Sequence, residues 1–172
     1  MTPSITDRLC TSCGLCCDGS LFADVELAGS DEAAALEILG LDIEDSDDDH
    51  RGLLSQPCRA LQGRRCGIYP HRPGCCRTFE CRLLQEVQRG VVDVGQARAK
   101  TADALRRIAR IEALLVTLGG CGERLPLKER CMEVLTSSEQ GASDPAARRS
   151  RDQLAAELAS LERLMLETFL GS

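Results

Sequence analysis

CTSCGLCC, residues 10–17, sets four cysteines into eight positions: Cys10, Cys13, Cys16 and Cys17. Four thiols this close cannot all be ordinary core residues, which leaves a disulfide framework, a redox-active pair or a metal site. Pairs two residues apart suit the metal site, because one turn then aims both sulfurs at a single ion. Cys10, Cys13 and Cys16 provide that spacing twice, and Cys17 adds a donor beside them. Adjacent Cys16 and Cys17 point in different directions, so either one of them serves a second site or only one ligates.

A second block follows about forty residues on. Segment 51–90 carries Cys58, Cys66, Cys75, Cys76 and Cys81, with eight Arg against only Glu80 and Glu86. CRALQGRRCGIY reads as a small hairpin turning near Gln62-Gly63, with Cys58 and Cys66 across it. HRPGC reads as a Pro/Gly turn that does not continue a helix. Residues 78–89 have helical spacing at Phe79, Leu83, Leu84 and Val87, and Gly90 ends them. Two all-Cys zinc sites would use eight thiolates and need no His, and only His50 and His71 exist. An iron–sulfur cluster also takes four Cys, and the x2-x2 run resembles the first three ligands of a bacterial ferredoxin. The fourth ferredoxin Cys, followed by Pro, has no counterpart at that spacing. Both cofactors, an iron–sulfur cluster such as 4Fe–4S or Zn2+, stay open. Arg59, Arg72, Arg77 and Arg82 lie within a few residues of candidate ligands. They either lower the thiol pKa values or pair with the acidic segment 21–50.

That segment holds eleven Asp or Glu and no Lys or Arg. SDEAAALEILG within it has an N-cap at Ser30 or Asp31, a run of helix formers and Gly40 as a stop. DIEDSDDD reads as a solvated acidic loop, without the Gly and terminal Glu of a calcium loop. Residues 1–20 read as short, polar and Cys-rich, with Gly14 and Gly19 as turn formers. The second half is helical throughout. Leu105, Ile108, Ile111, Leu115 and Leu118 form one stripe over 95–118, and a short helix covers about 127 to 138. After a linker at 141–145, a last helix runs from Pro145 to about Leu170. Its seam of Leu154, Leu158, Leu161, Met165 and Phe169 reads as part of an antiparallel helical hairpin packing on the Cys module rather than as a dimerisation seam.

Composition sets limits on function. The 172 residues are 43% hydrophobic and 28% charged, with three Phe, one Tyr and no Trp. Leu, Ala, Val and Ile must therefore fill the core, which favours helices. The expected fold is mainly α with a small irregular Cys-rich α+β module. A metal-binding module at 1–92 is followed by a helical hairpin or bundle at 93–172 that packs on it. A net charge of -6 and a pI near 5.0 argue against a nucleic-acid partner. The longest apolar run, ALLVTL at 113–118, is too short to span a bilayer. MTPSITDRLC carries no apolar run of the kind a signal peptide needs. The expected setting is the cytoplasm, where eleven cysteines are expected to stay reduced rather than form disulfides.

The full pattern, CxxCGxCC and then C..L....C.IY..RP..CR.F.C, resembles the YkgJ-like cysteine-cluster family of zinc- or iron-chelating proteins. The match reads Cys10, Cys13, Gly14, Cys16, Cys17, then Cys58, Leu61, Cys66, Ile68, Tyr69, Arg72, Pro73, Cys76, Arg77, Phe79 and Cys81. The resemblance spans residues 10 to about 90. It implies eight metal-associated cysteines: Cys10, Cys13, Cys16, Cys17, Cys58, Cys66, Cys76 and Cys81. Cys75 falls where the pattern has no cysteine, so it either competes with Cys76 for the metal or packs. Cys121 and Cys131 lie outside the matched region and read as small buried hydrophobes. Tyr69 and Phe79 are expected to cap the site against solvent. Arg72-Pro73 would rigidify the turn that delivers Cys76, with Arg72 bonded to sulfur or backbone.

The expected function is a metal-binding cysteine-cluster protein: a structural, redox-sensing or accessory module exerting its effect through a protein partner. Two alternatives accompany it. One is an Fe–S-dependent enzyme, oxidoreductase or methyltransferase-associated, since some relatives are labelled Fe–S oxidoreductases and flagellin lysine methylases contain a similar module. The other is a metallochaperone. Against an enzyme stand the lack of a Gly-rich nucleotide loop and of a Ser/His/Asp set.

Overall fold

Two short strands and a four-residue partner organise the acidic stretch in the computed structural model, which describes residues 5–45, 52–120, 122, 124–137 and 144–171. His50, Cys121, the end of the acidic run at 46–50 and the linker residues 141–143 lie outside the described residues. The chain divides into two compact units, Met1–Glu80 and Cys81–Ser172.

The first unit opens with helix α1 (Ile5–Cys13), where the sequence suggested only turns. Strands β1 (Asp24–Glu26), β2 (Ile43–Asp45) and β3 (Gly52–Ser55) form an antiparallel sheet in the order β1-β3-β2. The start of the acidic run is thus a strand and not a loop: Ile43 and Val25 both sit opposite Leu54. Gly52 makes the close approach possible, because a Cβ there would stand 2.7 Å from Ile43 Cγ2. Helix α2 (Ser30–Ile38) covers this small core, in which Leu27, Leu36, Leu41, Leu54 and Ala60 are buried.

Ser30 begins α2 rather than capping it, and Gly29 is the cap residue. Glu32 compensates by reaching back to accept the N–H of Ala28, the residue before the cap, at 2.9 Å. Gly40 ends the helix as expected, with φ +81° and bonds from Gly40 N to Glu37 O and Leu41 N to Leu36 O. Strands β4 (Leu61–Gln62) and β5 (Arg65–Cys66) make the expected hairpin, turning through Gly63-Arg64. After a 3-10 turn at Tyr69–His71, Pro73 caps a short helix α3 (Gly74–Thr78). The Pro/Gly turn therefore starts a helix, because proline is tolerated at a helix N-terminus where its missing N–H has no partner to lose.

The second unit is helical: α4 (Arg82–Gln88), α5 (Val94–Thr117), α6 (Leu127–Thr136) and α7 (Pro145–Met165), the last continued by a wider turn at Leu166–Leu170. Helix α4 begins four residues later than the spacing suggested, so Phe79 precedes it. Asp93 and Gln96 form a reciprocal capping box that starts α5. Helices α5 and α7 run antiparallel, as their paired residues show: Arg107 bonds Ser160 and Arg110 bonds Glu157. Ile108, Ile111 and Leu115 are buried on one helix, and Leu154, Leu158, Leu161 and Met165 on the other. The α7 seam is consumed within the chain. No helix among the described residues is long and apolar enough to cross a membrane.

Leu154 has no exposed surface. Leu154→Ala is expected to destabilise this unit by about 2–5 kcal/mol, the lost transfer energy plus the cavity. Urea unfolding followed by far-UV circular dichroism checks it.

Candidate metal centre

Cys10 and Cys13 sit three residues apart on α1, and therefore on one face. The helix stops at Cys13 because Gly14 takes φ +71°. The Gly14 carbonyl then accepts the N–H groups of Cys17 and Asp18, both at 3.0 Å, wrapping Cys16 and Cys17 into a tight turn. Asp18 holds this turn to the β4–β5 hairpin by an ion pair with Arg64. Gly14 permits the approach, since a Cβ there would meet Arg64 Cδ at 3.1 Å and Arg64 Cα at 3.2 Å. Gly14→Ala combines that crowding with a left-handed backbone worth about 1–2 kcal/mol. It is expected to lower the melting temperature and weaken metal uptake together, read by thermal melts and metal titration.

The second block joins the first at the backbone. Cys58 N–H is shared between Cys17 O at 2.8 Å and Gln56 Oε1 at 3.1 Å. Gln56 is only 3% exposed. Leu61 N donates to Cys58 O at 2.9 Å, and Cys66 pairs with Leu61 across the hairpin. Helix α1 packs against β5, which brings the first block over Cys66.

The thiols feel one another. Burial pushes the Cys17 thiol up to about 12, helped by the charges of Cys58, Cys66, Asp18 and Cys13. Cys58 is raised, first by burial and then by Cys66. Cys76 is raised by sharing a proton with Cys75, then by burial and by the charges of Cys75, Cys17 and Cys58. Five of the expected ligands, Cys13, Cys17, Cys58, Cys66 and Cys76, thus lie within electrostatic reach, across both blocks. Burial raises the Tyr69 hydroxyl, helped by its bond to Asp7 and, last, by the charge of nearby Cys10. Cys16 is half-buried in the Gly14 turn. Cys81 opens the second unit as the cap residue of α4, its Sγ accepting the Leu84 N–H at 3.5 Å. Among the described residues, no three His, Cys, Asp or Glu side chains are arranged as they stand to hold one metal ion.

Cys75 packs on the same apolar core as Cys58 and Cys66. Cys131 is fully buried between helices, and burial pushes its thiol up to about 11. That agrees with a packing role.

The arginines divide. Arg59 pairs with Asp42 of the acidic segment at 2.5 Å, both about half exposed, a geometry worth at most about 1 kcal/mol. Arg72 lies 3.6 Å above the Tyr69 ring and donates to the Tyr69 carbonyl at 3.1 Å, so its bond is to backbone. Tyr69 in turn donates its hydroxyl to Asp7 Oδ1 on α1 at 3.1 Å. Phe79 is 39% exposed and packs edge-on against Phe22. Four supporting residues escaped the sequence reading: Asp7, Gln56, Arg64 and Glu32. Glu32 Oε1 accepts the Gly74 N–H at 2.7 Å, anchoring the start of α3 from a residue 42 positions away. No local pattern signals such a bond. Gln56 was the more accessible of them, as a polar residue in the apolar approach to a cysteine.

The family model "CxxCxxCC: Putative zinc- or iron-chelating domain" matches residues 9–102, more than half of the chain. The chain belongs to the CxxCxxCC family. No curated protein and no solved structure matches it. The donor chemistry fits the metals in the family's description, since an all-thiolate set suits zinc or an iron–sulfur cluster and disfavours magnesium or calcium. For a CxxCxxCC chain, crowded thiols that resist ionisation alone become stable thiolates once a cation offsets their charge.

Proposed function

We propose that the protein chelates an iron–sulfur cluster or zinc through Cys10, Cys13, Cys16, Cys17, Cys58, Cys66, Cys76 and Cys81. The loaded module acts as a structural, redox-sensing or accessory element for a protein partner. The observation that carries this reading is the joint between Cys17 and Cys58, whose 2.8 Å backbone bond brings the two cysteine blocks together. Seven of the eight residues belong to the first unit. Cys81 is included on the strength of the family spacing. The bound metal would supply charge neutralisation and, if iron, electron transfer. The chain's own part is to deliver thiolates from α1, the Gly14 turn, the β4–β5 hairpin and α3. The setting is a reducing cytoplasm, where thiols persist as ligands.

Anaerobic purification followed by elemental analysis and absorption spectroscopy tests the proposal. Iron with a visible band that bleaches on dithionite identifies a redox cluster. A colourless protein carrying zinc identifies a structural site. Protein with neither iron nor zinc contradicts the reading.

A further inference from the structure

Within the matched span, Cys75 is the cysteine that the family spacing leaves without a role. Its sulfur lies 4.0 Å from that of Cys76. In a tetrahedral thiolate site with metal–sulfur bonds of ~2.3 Å, two sulfurs stand ~3.8 Å apart. The pair is therefore already close to the edge length of such a site. A disulfide is the poorer use of this proximity. Adjacent residues have Cα atoms ~3.8 Å apart, whereas disulfides span ~4.4–6.8 Å. Both cysteines belong to α3, whose first residue, Gly74, is pinned by Glu32 Oε1 at 2.7 Å. Cys75 also shares its apolar support with Cys58 and Cys66.

We infer that Cys75 is a further thiolate ligand, binding the same ion as Cys76 and forming one edge of the site. The inference rests on the metal-binding reading above and adds a ligand to it. Each thiol gives its proton to solvent as its sulfur bonds the metal, so no oxidant or reductant is required.

Full-length apo-protein titrated anaerobically with Co2+ tests it, because sulfur-to-cobalt charge-transfer absorbance grows with the number of thiolates bound. Cys75→Ser, Cys75→Ala and Cys75→Val are compared with the wild type, the valine variant keeping the apolar packing without the sulfur. Affinity is expected to fall about 10- to 100-fold in all three, with lower absorbance per bound cobalt. Wild-type alkylation read by mass spectrometry provides a second measure that needs no substitution: cobalt is expected to protect Cys75 and Cys76 alike. Wild-type affinity and absorbance in Cys75→Val, or Cys75 alkylated equally fast with and without cobalt, overturn the assignment of Cys75 alone. Wild-type protein that binds no cobalt and carries neither iron nor zinc overturns the metal-binding reading and this inference with it.

Discussion

Stripping the metal with a competing chelator is expected to unfold the unit Met1–Glu80 while the α5–α7 helices stay folded. The first unit has little else to hold it. Its strands are two to four residues long, and its sheet-side core is five buried residues, one of them alanine. Ordering the backbone costs about 1–2 kcal/mol per residue, and a domain of this size recovers little surplus from burial. Ligation of a structural zinc is worth about 10–16 kcal/mol in small metal-folded peptides, and that energy is folding energy. The second unit stands differently, with 24- and 21-residue helices packed along a continuous apolar seam. Hydrogen exchange resolved by residue checks the prediction. Amides of β3 and the β4–β5 hairpin should lose protection when the metal is stripped, while those of α5 and α7 keep theirs. Unchanged protection of β3 would show that the metal does not hold this unit together.

The second large effect is that of Cys17→Ser, expected to weaken metal binding by about a hundredfold or more. Even an outer hydrogen-bonding neighbour of a ligand is worth about 10–100-fold, and Cys17 is one of the proposed ligands, at the joint between the two cysteine blocks. Its thiol responds to Cys13 in its own block and to Cys58 and Cys66 in the other, and its carbonyl receives the Cys58 N–H. Cys131→Ser is the matched control. It places a hydroxyl in a fully buried helical site, so it should cost stability, about 1–3 kcal/mol, with metal affinity unchanged. Competition against a chromophoric chelator separates the two. Equal affinities for Cys17→Ser and wild type would remove Cys17 from the site.

The cysteine blocks and the helical second half were legible because both are repeated signals. Thiols at fixed spacing and apolar residues at helical spacing each add up along the chain. The α7 seam from Leu154 to Phe169 is the clearest case, since every member is buried. The first unit was harder to read because its elements are held from outside. ITDRLCTSC contains Thr, Asp, Ser and Cys, all modest helix formers, and buries only Leu9. Its helix leans on β5 and on the Tyr69 bond to Asp7. Strands DVE and IED carry acidic residues that disfavour strands, yet Val25 and Ile43 both meet Leu54. Phe79 has helical spacing with Leu83, but Cys81 takes an extended backbone as the α4 cap, so the periodic pattern overran the true start. The cysteines of the candidate site could be read from the sequence but not all of their supports, because Glu32 acts through a bond to Gly74 that depends on the finished fold.

X-ray absorption at the edge of the bound metal, on anaerobically purified full-length protein, tests the central claim most directly. The account predicts a first shell of sulfur alone at about 2.3 Å, with an additional metal–metal shell if the metal is a cluster. A first shell of nitrogen or oxygen at about 2.0–2.2 Å would contradict it.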